Sequence, residues 1–191
     1  MIAETPPSIG RICPVMCLPA CDANRRVAPF RSSSSPIRRS GAWPASSLAP
    51  MRSIFLMNQA IGKHSMIPRK SGRIINVASI AGLAGSRDLS TVAYQTSKAA
   101  VINFTRSLAG EWGKFGINVN ALAPGFFPSR MTKGLLDQYG ADNMARHAPL
   151  RRLGDDDDLK GATLLFASQA GKHITGQILP IDGGVSAVIA A

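Results

Sequence analysis

A tyrosine and a lysine stand four residues apart, at Tyr94 and Lys98, in the stretch VAYQTSKAAVINFTRSLAGEW. The surrounding residues read as one long helix, which brings positions i and i+4 to about 5–6 Å between their Cβ atoms. A phenol and an ammonium can then share one small volume. A free phenol titrates near about 10 and is a poor base at neutral pH. A neighbouring cation favours the phenolate. Lowering the value to about 7 takes roughly three units, on the order of 4 kcal/mol of differential stabilisation. Fifteen residues before Tyr94, Ser79 closes the apolar run RIINVAS. Hydroxyl, phenol and ammonium together make a coherent proton-transfer set. Tyrosine and lysine are common, so their spacing acquires meaning only from the elements that position them.

Those elements alternate. IFLMNQAIGKHSMI places Ile54, Met57 and Ile61 at helical spacing. RIINVAS, entered through Ser71-Gly72, is a short β-rich run and reads as a buried strand. The helix of Tyr94 carries Ala100, Phe104, Leu108 and Trp112 along one stripe, and INVNALAPG is a second strand closed by Pro124-Gly125. DDDDLKGATLLFAS is a helix whose opening aspartates suit the positive end of the helix dipole. GQILPIDGG makes a last strand. Strands separated by helices of this length predict βαβ units, a parallel sheet and an α/β fold. In such sheets ligands bind outside the carboxyl ends of the strands. Ser79 and the Pro124-Gly125 turn fall at such ends, and Tyr94 begins the helix that follows the first of them.

Bulk properties exclude several classes. The chain has 191 residues and a formal net charge of +11, a size that suits one domain. Its basic residues are scattered without aromatic interleaving, which indicates a solvated surface and no nucleic-acid partner. No apolar run approaches the roughly 18 residues that signal a membrane span. Cys13, Cys17 and Cys21 fall at i, i+4 and i+8, but Pro14 and Pro19 break any helix and no fourth ligand stands at a metal-binding spacing. No metal site is expected. The odd cysteine count without a signal peptide suits a reducing cytoplasm. His64, His147 and His173 are isolated and expected to be exposed.

From about Met51 onward the chain resembles the second half of a short-chain dehydrogenase/reductase. The matching pieces, in order, are INVAS-IAG, AYQTSKAAV, LAGEWGKFGINVNALAPGFF, RRLG and ITGQILPIDGG. The resemblance implies a Rossmann-type three-layer parallel sheet and hydride transfer between NAD or NADP and a secondary alcohol or ketone. It implies that Tyr94 is the general acid/base, that Ser79 orients the reacting oxygen, and that Lys98 lowers the tyrosine pKa and holds the nicotinamide ribose. Pro124, Gly125 and Phe127 would line the nicotinamide side, and Ser129 stands where the family usually has a threonine touching the cofactor. Residues Arg130 to Leu150 would be a mobile substrate lid. The chain looks closest to 3-oxoacyl-(acyl-carrier-protein) reductases and gluconate 5-dehydrogenase-like members, with PGFFPSRMT leaning toward the first. Lys70 and Lys114 could meet an acidic carrier protein, and the helices holding Phe55 and Tyr94 correspond to those through which the family forms dimers and tetramers.

The departures are equally informative. The family's T-G-x-x-x-G-x-G turn and N-A-G motif are missing from the sequence, and Pro50 occupies the place of the asparagine that completes the usual tetrad. Proline has neither a backbone N–H nor an amide side chain to replace it. The first fifty residues hold eight of the thirteen prolines, all three cysteines, six arginines and no lysine, with no helical or strand apolar period. Four βα units of about 30 residues would need roughly 120 ahead of Ser79, against 78 present. Residues 1–50 are therefore read as a non-family segment, in keeping with translation in a wrong frame and less so with a transit peptide. Residues 51–191 are read as the C-terminal part of an incomplete Rossmann domain. The alternative function is a catalytically silent fragment, poorly soluble through the apolar edge of RIINVAS and unable to bind a dinucleotide.

Overall fold

The computed structural model describes residues 49–85 and 91–188. The three cysteines and nearly all of the proposed non-family segment lie outside the described residues. Helix α1 spans Ala49–Ile61 and continues through a π-helical turn, Gly62–Met66, into a last turn at Ile67–Arg69. Strand β1 is Gly72–Val77, helix α2 Val92–Trp112 and strand β2 Ile117–Pro124. Two short helices follow, α3 at Lys133–Tyr139 and α4 at Ala141–Arg146, then α5 at Asp156–Ala167 and strand β3 at Ile178–Ile181. The expected lid segment thus contains two helices.

The sheet runs β1-β2-β3 with both ladders parallel. Gly72 lies opposite Ile117, Val77 opposite Leu122, and Pro124 opposite Ile181. Side chains alternate across a strand, so Asn76 and Arg73 face opposite sides. Asn76 donates to Thr105 of α2, whereas Arg73 donates to Gln169 beyond α5. Helices therefore cover both faces, giving the three-layer α/β arrangement that the alternation predicts.

Strand β2 is the centre of the core. Val119, Ala121 and Ala123 are each 0% exposed, as a parallel strand covered on both faces requires. The face of α2 that packs deepest holds Ser97, Val101, Thr105, Leu108 and Ala109; it shares Leu108 with the expected stripe and otherwise lies beside it. Phe104 and Trp112 of the stripe meet α1 and its continuation. The Phe104 ring packs, tilted by 52°, against Phe55 at 5.5 Å between centroids, and Gly62 lies so close under Trp112 that a Cβ there would overlap the indole. The large residues fill the gap between helices, while smaller ones face the closely packed sheet.

A polar network also ties the layers. The Asn58 side-chain amide donates to Asn76 Oδ1 at 3.0 Å, and the Asn76 side-chain Nδ2 donates to Thr105 Oγ1 at 3.0 Å. Thr105 in turn donates to the Val101 carbonyl at 2.8 Å. All three side chains belong to buried residues, so each bond prevents an unpaired polar group from being buried. At the entrance to β2, Gly116 has φ 70°, and a Cβ there would lie 2.6 Å from the Lys70 carbonyl oxygen. Glycine meets both demands.

Candidate active site

Ser79 follows β1 by two residues and opens a single 3-10 turn, Ile80–Gly82. It is extended (φ −170°, ψ 154°), and its Oγ accepts from the Ala81 amide at 3.2 Å. A hydroxyl has one donor and two acceptor sites, so this cap leaves the proton free to donate. Ser79 is 8% exposed. The turn rests directly on α2, because a Cβ on Gly82 would lie 2.6 Å from the Lys98 carbonyl carbon. Gly82 is the positioning residue that composition and spacing did not single out. Its signal was a glycine three residues after the serine.

Tyr94 and Lys98 occupy the first half of α2, on the same side. The Lys98 ammonium lies 5.7 Å from the centroid of the Tyr94 ring and donates to the Val77 carbonyl at 3.0 Å. Val77 ends β1, so the lysine bridges the phenol and the strand end that precedes Ser79. Partial burial lowers the Lys98 pKa from its ordinary value, because desolvation disfavours the charged form.

The other expected residues gather at the ends of β2 and β3. Gly125 donates to the Ile181 carbonyl at 2.9 Å, and a Cβ on it would come within 2.7 Å of Asp182 Cβ. The Pro124-Gly125 turn is thus clamped against the end of β3. Phe127 packs its ring against Gly154, which has no room for a Cβ. Ser129 is exposed and turns inward on its own loop. Its Oγ contacts Thr132 Oγ1 at 3.0 Å and accepts from the Thr132 amide at 3.2 Å.

A cavity of about 450 Å³ opens beside Phe127, walled by Phe126, Met144, Ala148, Leu150 and the residues that follow β3. Arg152 and Asp158 stand at its edge in a two-pronged pair, with both distances 2.6 Å. This pairing and the Asp155 amide hold the Asp158 carboxyl down to about 2. Ser79, Tyr94 and Lys98 do not line this cavity. The trio sits at the end of β1, and the cavity at the end of β3. Both lie at carboxyl ends of parallel strands, where α/β sheets receive ligands. Among the described residues no cluster of His, Cys, Asp and Glu could hold a metal ion, and no helix is long and apolar enough to cross a membrane.

Comparison with known proteins gives a consistent set of likenesses. A family profile described as enoyl-(acyl carrier protein) reductase matches residues 43–186. The gluconate 5-dehydrogenase of Gluconobacter oxydans is 34% identical over 137 residues, 71% of this chain and 52% of that protein. The 3-oxoacyl-(acyl-carrier-protein) reductase of Chlamydia muridarum is 40% identical over 121 residues, 63% of this chain and 48% of that one. The crystal structure of a gluconate 5-dehydrogenase from Burkholderia cenocepacia, in complex with NADP and tartrate, superposes with a TM-score of 0.71 at 30% identity. It covers 78% of this chain, which covers 59% of it. The chain spans about half the length of the curated relatives it matches.

Proposed function

Because the chain belongs to the short-chain dehydrogenase/reductase family, we propose that its site performs the proton-transfer part of an NAD(P)-dependent alcohol–ketone interconversion. Tyr94 exchanges a proton with the reacting oxygen, Ser79 donates a hydrogen bond to the same oxygen, and Lys98 favours the phenolate. The observation that carries this reading is the Lys98 ammonium, placed between the Tyr94 ring and the Val77 carbonyl at the strand end beside Ser79. The residues fit the nicotinamide end of a dinucleotide. Lys98 offers its ammonium to ribose hydroxyls, and Pro124, Gly125 and Phe127 offer one wall. The cofactor, when bound, supplies hydride transfer.

Two observations bear on the substrate. The cavity beside Phe127 is walled largely by apolar side chains, and the arginine at its edge is already paired with Asp158. An acyl chain suits such a wall better than a polyhydroxy acid, which supports a 3-oxoacyl thioester on a carrier protein over a sugar acid. Lys70 and Lys114 are exposed, as a carrier contact requires. The test compares NADPH-dependent reduction of acetoacetyl-CoA and of 5-ketogluconate in a full-length enzyme restored by fusing a relative's amino-terminal half ahead of Met51. Preference for 5-ketogluconate overturns the acyl assignment.

A second reading is favoured by the missing phosphate cradle. The chain contains no T-G-x-x-x-G-x-G run, whose backbone N–H groups at a helix N-terminus receive a pyrophosphate. By itself the 191-residue chain is then a silent fragment. Fluorescence titration with NADH and NADPH is expected to give no saturation in the micromolar range, and micromolar binding of either overturns this reading.

A further inference from the structure

Cations that lie scattered along the sequence gather at one end of the fold. The strands run parallel, so the loops that enter β1, β2 and β3 all lie at their amino ends. Gly116, just before β2, packs on the Lys70 carbonyl just before β1. Asn118 donates to the Lys172 carbonyl at 3.3 Å, which ties the approach to β3 to the same end. Lys63, Arg69, Lys70, Lys114 and Lys172 stand here, and all five are exposed. Lys63 belongs to the π-helical turn whose Gly62 lies under Trp112, the last residue of α2.

No ion pair among the described residues involves these five cations. Glu111 is the one described carboxylate at this end; the other seven lie in α3, in α4, at the start of α5 or after β3. Helices α1, α2 and α5 also end here, and each carboxyl end carries about half a negative charge. Those three ends and Glu111 answer about half of the five positive charges. The rest face solvent without a counterpart.

The chemistry of the face selects among anionic partners. Among the described residues, no large apolar side chain is exposed in the loops 68–71, 113–116 and 168–177. Protein interfaces are built around apolar and aromatic anchors, and membrane-surface sites pair basic residues with apolar ones. This face offers no such anchor. A phosphate backbone asks only for cations and N–H donors. Single strands are held by stacking on aromatic rings, but Phe115 is half-buried, with the Lys114 ammonium 5.2 Å from its centroid. Three strands about 4.8 Å apart spread the loops over about 10 Å, close to the roughly 12 Å width of a duplex major groove.

We propose that this face binds the phosphate backbone of a double-stranded nucleic acid, without sequence preference. It lies at the opposite end of the sheet from Ser79 and does not depend on the catalytic reading. It replaces the expectation of a merely solvated surface, which followed from the linear order of the basic residues.

The experiment follows the fluorescence anisotropy of a labelled duplex of about 20 base pairs mixed with the full 191-residue chain. The dissociation constant should be about 10⁻⁶–10⁻⁴ M near physiological salt. Log affinity should fall with log salt at a slope of about −3 to −4.5, as three to five neutralised phosphates require. Lys70→Gln, Lys114→Gln and Lys172→Gln combined should weaken binding at least about tenfold and reduce the slope by about 3. Lys114→Gln alone should reduce it by about 1, which keeps the test intact should the triple variant unfold. Arg52→Gln, Lys133→Gln and Lys160→Gln combined remove the same charge from the other end and should change binding less than about twofold. Equal weakening by the two triple sets means that net charge alone acts. Undiminished binding by the first means that residues 1–50 hold the duplex. Either result overturns the proposal, as does absence of binding at low salt. Displacement of the duplex by an acyl carrier protein or by phosphatidylserine vesicles at equal charge also overturns it.

Discussion

Strands β1 and β2 lie side by side in one sheet, and both are built largely from β-branched and small apolar residues. Their fates differ. β2 has a neighbour on each side and a helix layer on each face, so Val119 is fully enclosed. Among the described residues β1 has one neighbour, and Val77 at its end is more than half exposed. The interior strand holds the fold. The edge strand holds the proposed site, because Ser79 follows it and Lys98 takes its last carbonyl as acceptor. On that proposal the reactive groups sit on the less finished part of the molecule, and the central strand anchors the helix that carries them.

The sharpest way to break this contrast is to place the same charge in each strand. Val119→Asp should cost at least about 4 kcal/mol, because an unpaired carboxylate is buried. Val77→Asp should stay within about 0.5 kcal/mol, as surface changes do. Urea titrations decide it, and equal losses would mean that β1 is as enclosed as β2. Next in size is Asn76→Ala, which leaves Asn58 and Thr105 without a shared partner. It should cost about 1–3 kcal/mol in the same titration. Gly82→Ala should cost about 1–3 kcal/mol through the overlap with the Lys98 backbone, and nuclear magnetic resonance shifts should concentrate at Ser79 and Tyr94. Shifts spread evenly over the sheet would show that Gly82 does not link the turn to the helix.

The smallest effect concerns acid. Asp158 titrates at about 2 in the folded chain, against an ordinary value of 3.8. Its pKa is depressed by folding, so its contribution to stability is complete above 3.8 and is lost as pH falls toward 2. Asp158→Asn should flatten the decline in thermal midpoint across that interval, and Arg152→Ala should do the same. An unchanged slope would show that the pair is not maintained in solution.

Much of this architecture was legible in the sequence, for identifiable reasons. The three strands and the helix of Tyr94 declared themselves by short apolar runs, glycine or proline punctuation and a sustained helical period. The aspartates before α5 were read as a dipole effect. The structure adds that Asp155 and Asp158 close a reciprocal capping box, which depends on side-chain direction as well as spacing. The Asn58–Asn76–Thr105 network was invisible, because polar residues within apolar runs do not announce their partners across a fold. The exact side of α2 that meets the sheet was also hidden. Hydrophobicity marks Phe104 and Trp112, yet tight packing against a sheet selects Ser97 and Thr105. At the site, family motifs pointed to Ser79, Tyr94 and Lys98, while the attachment of Lys98 to Val77 and the engagement of Ser129 with Thr132 needed coordinates.

The account stands most directly on the phenol. In a full-length enzyme restored by joining a relative's amino-terminal half ahead of Met51, Tyr94→Phe should lower kcat by about 10²–10⁴-fold, the usual share of a general acid/base, with KM nearly unchanged. Turnover by that variant within about twofold of the parent, less than the smallest effect expected of a proton-transfer group, would contradict the assignment of Tyr94 and, with it, the site built around the end of β1.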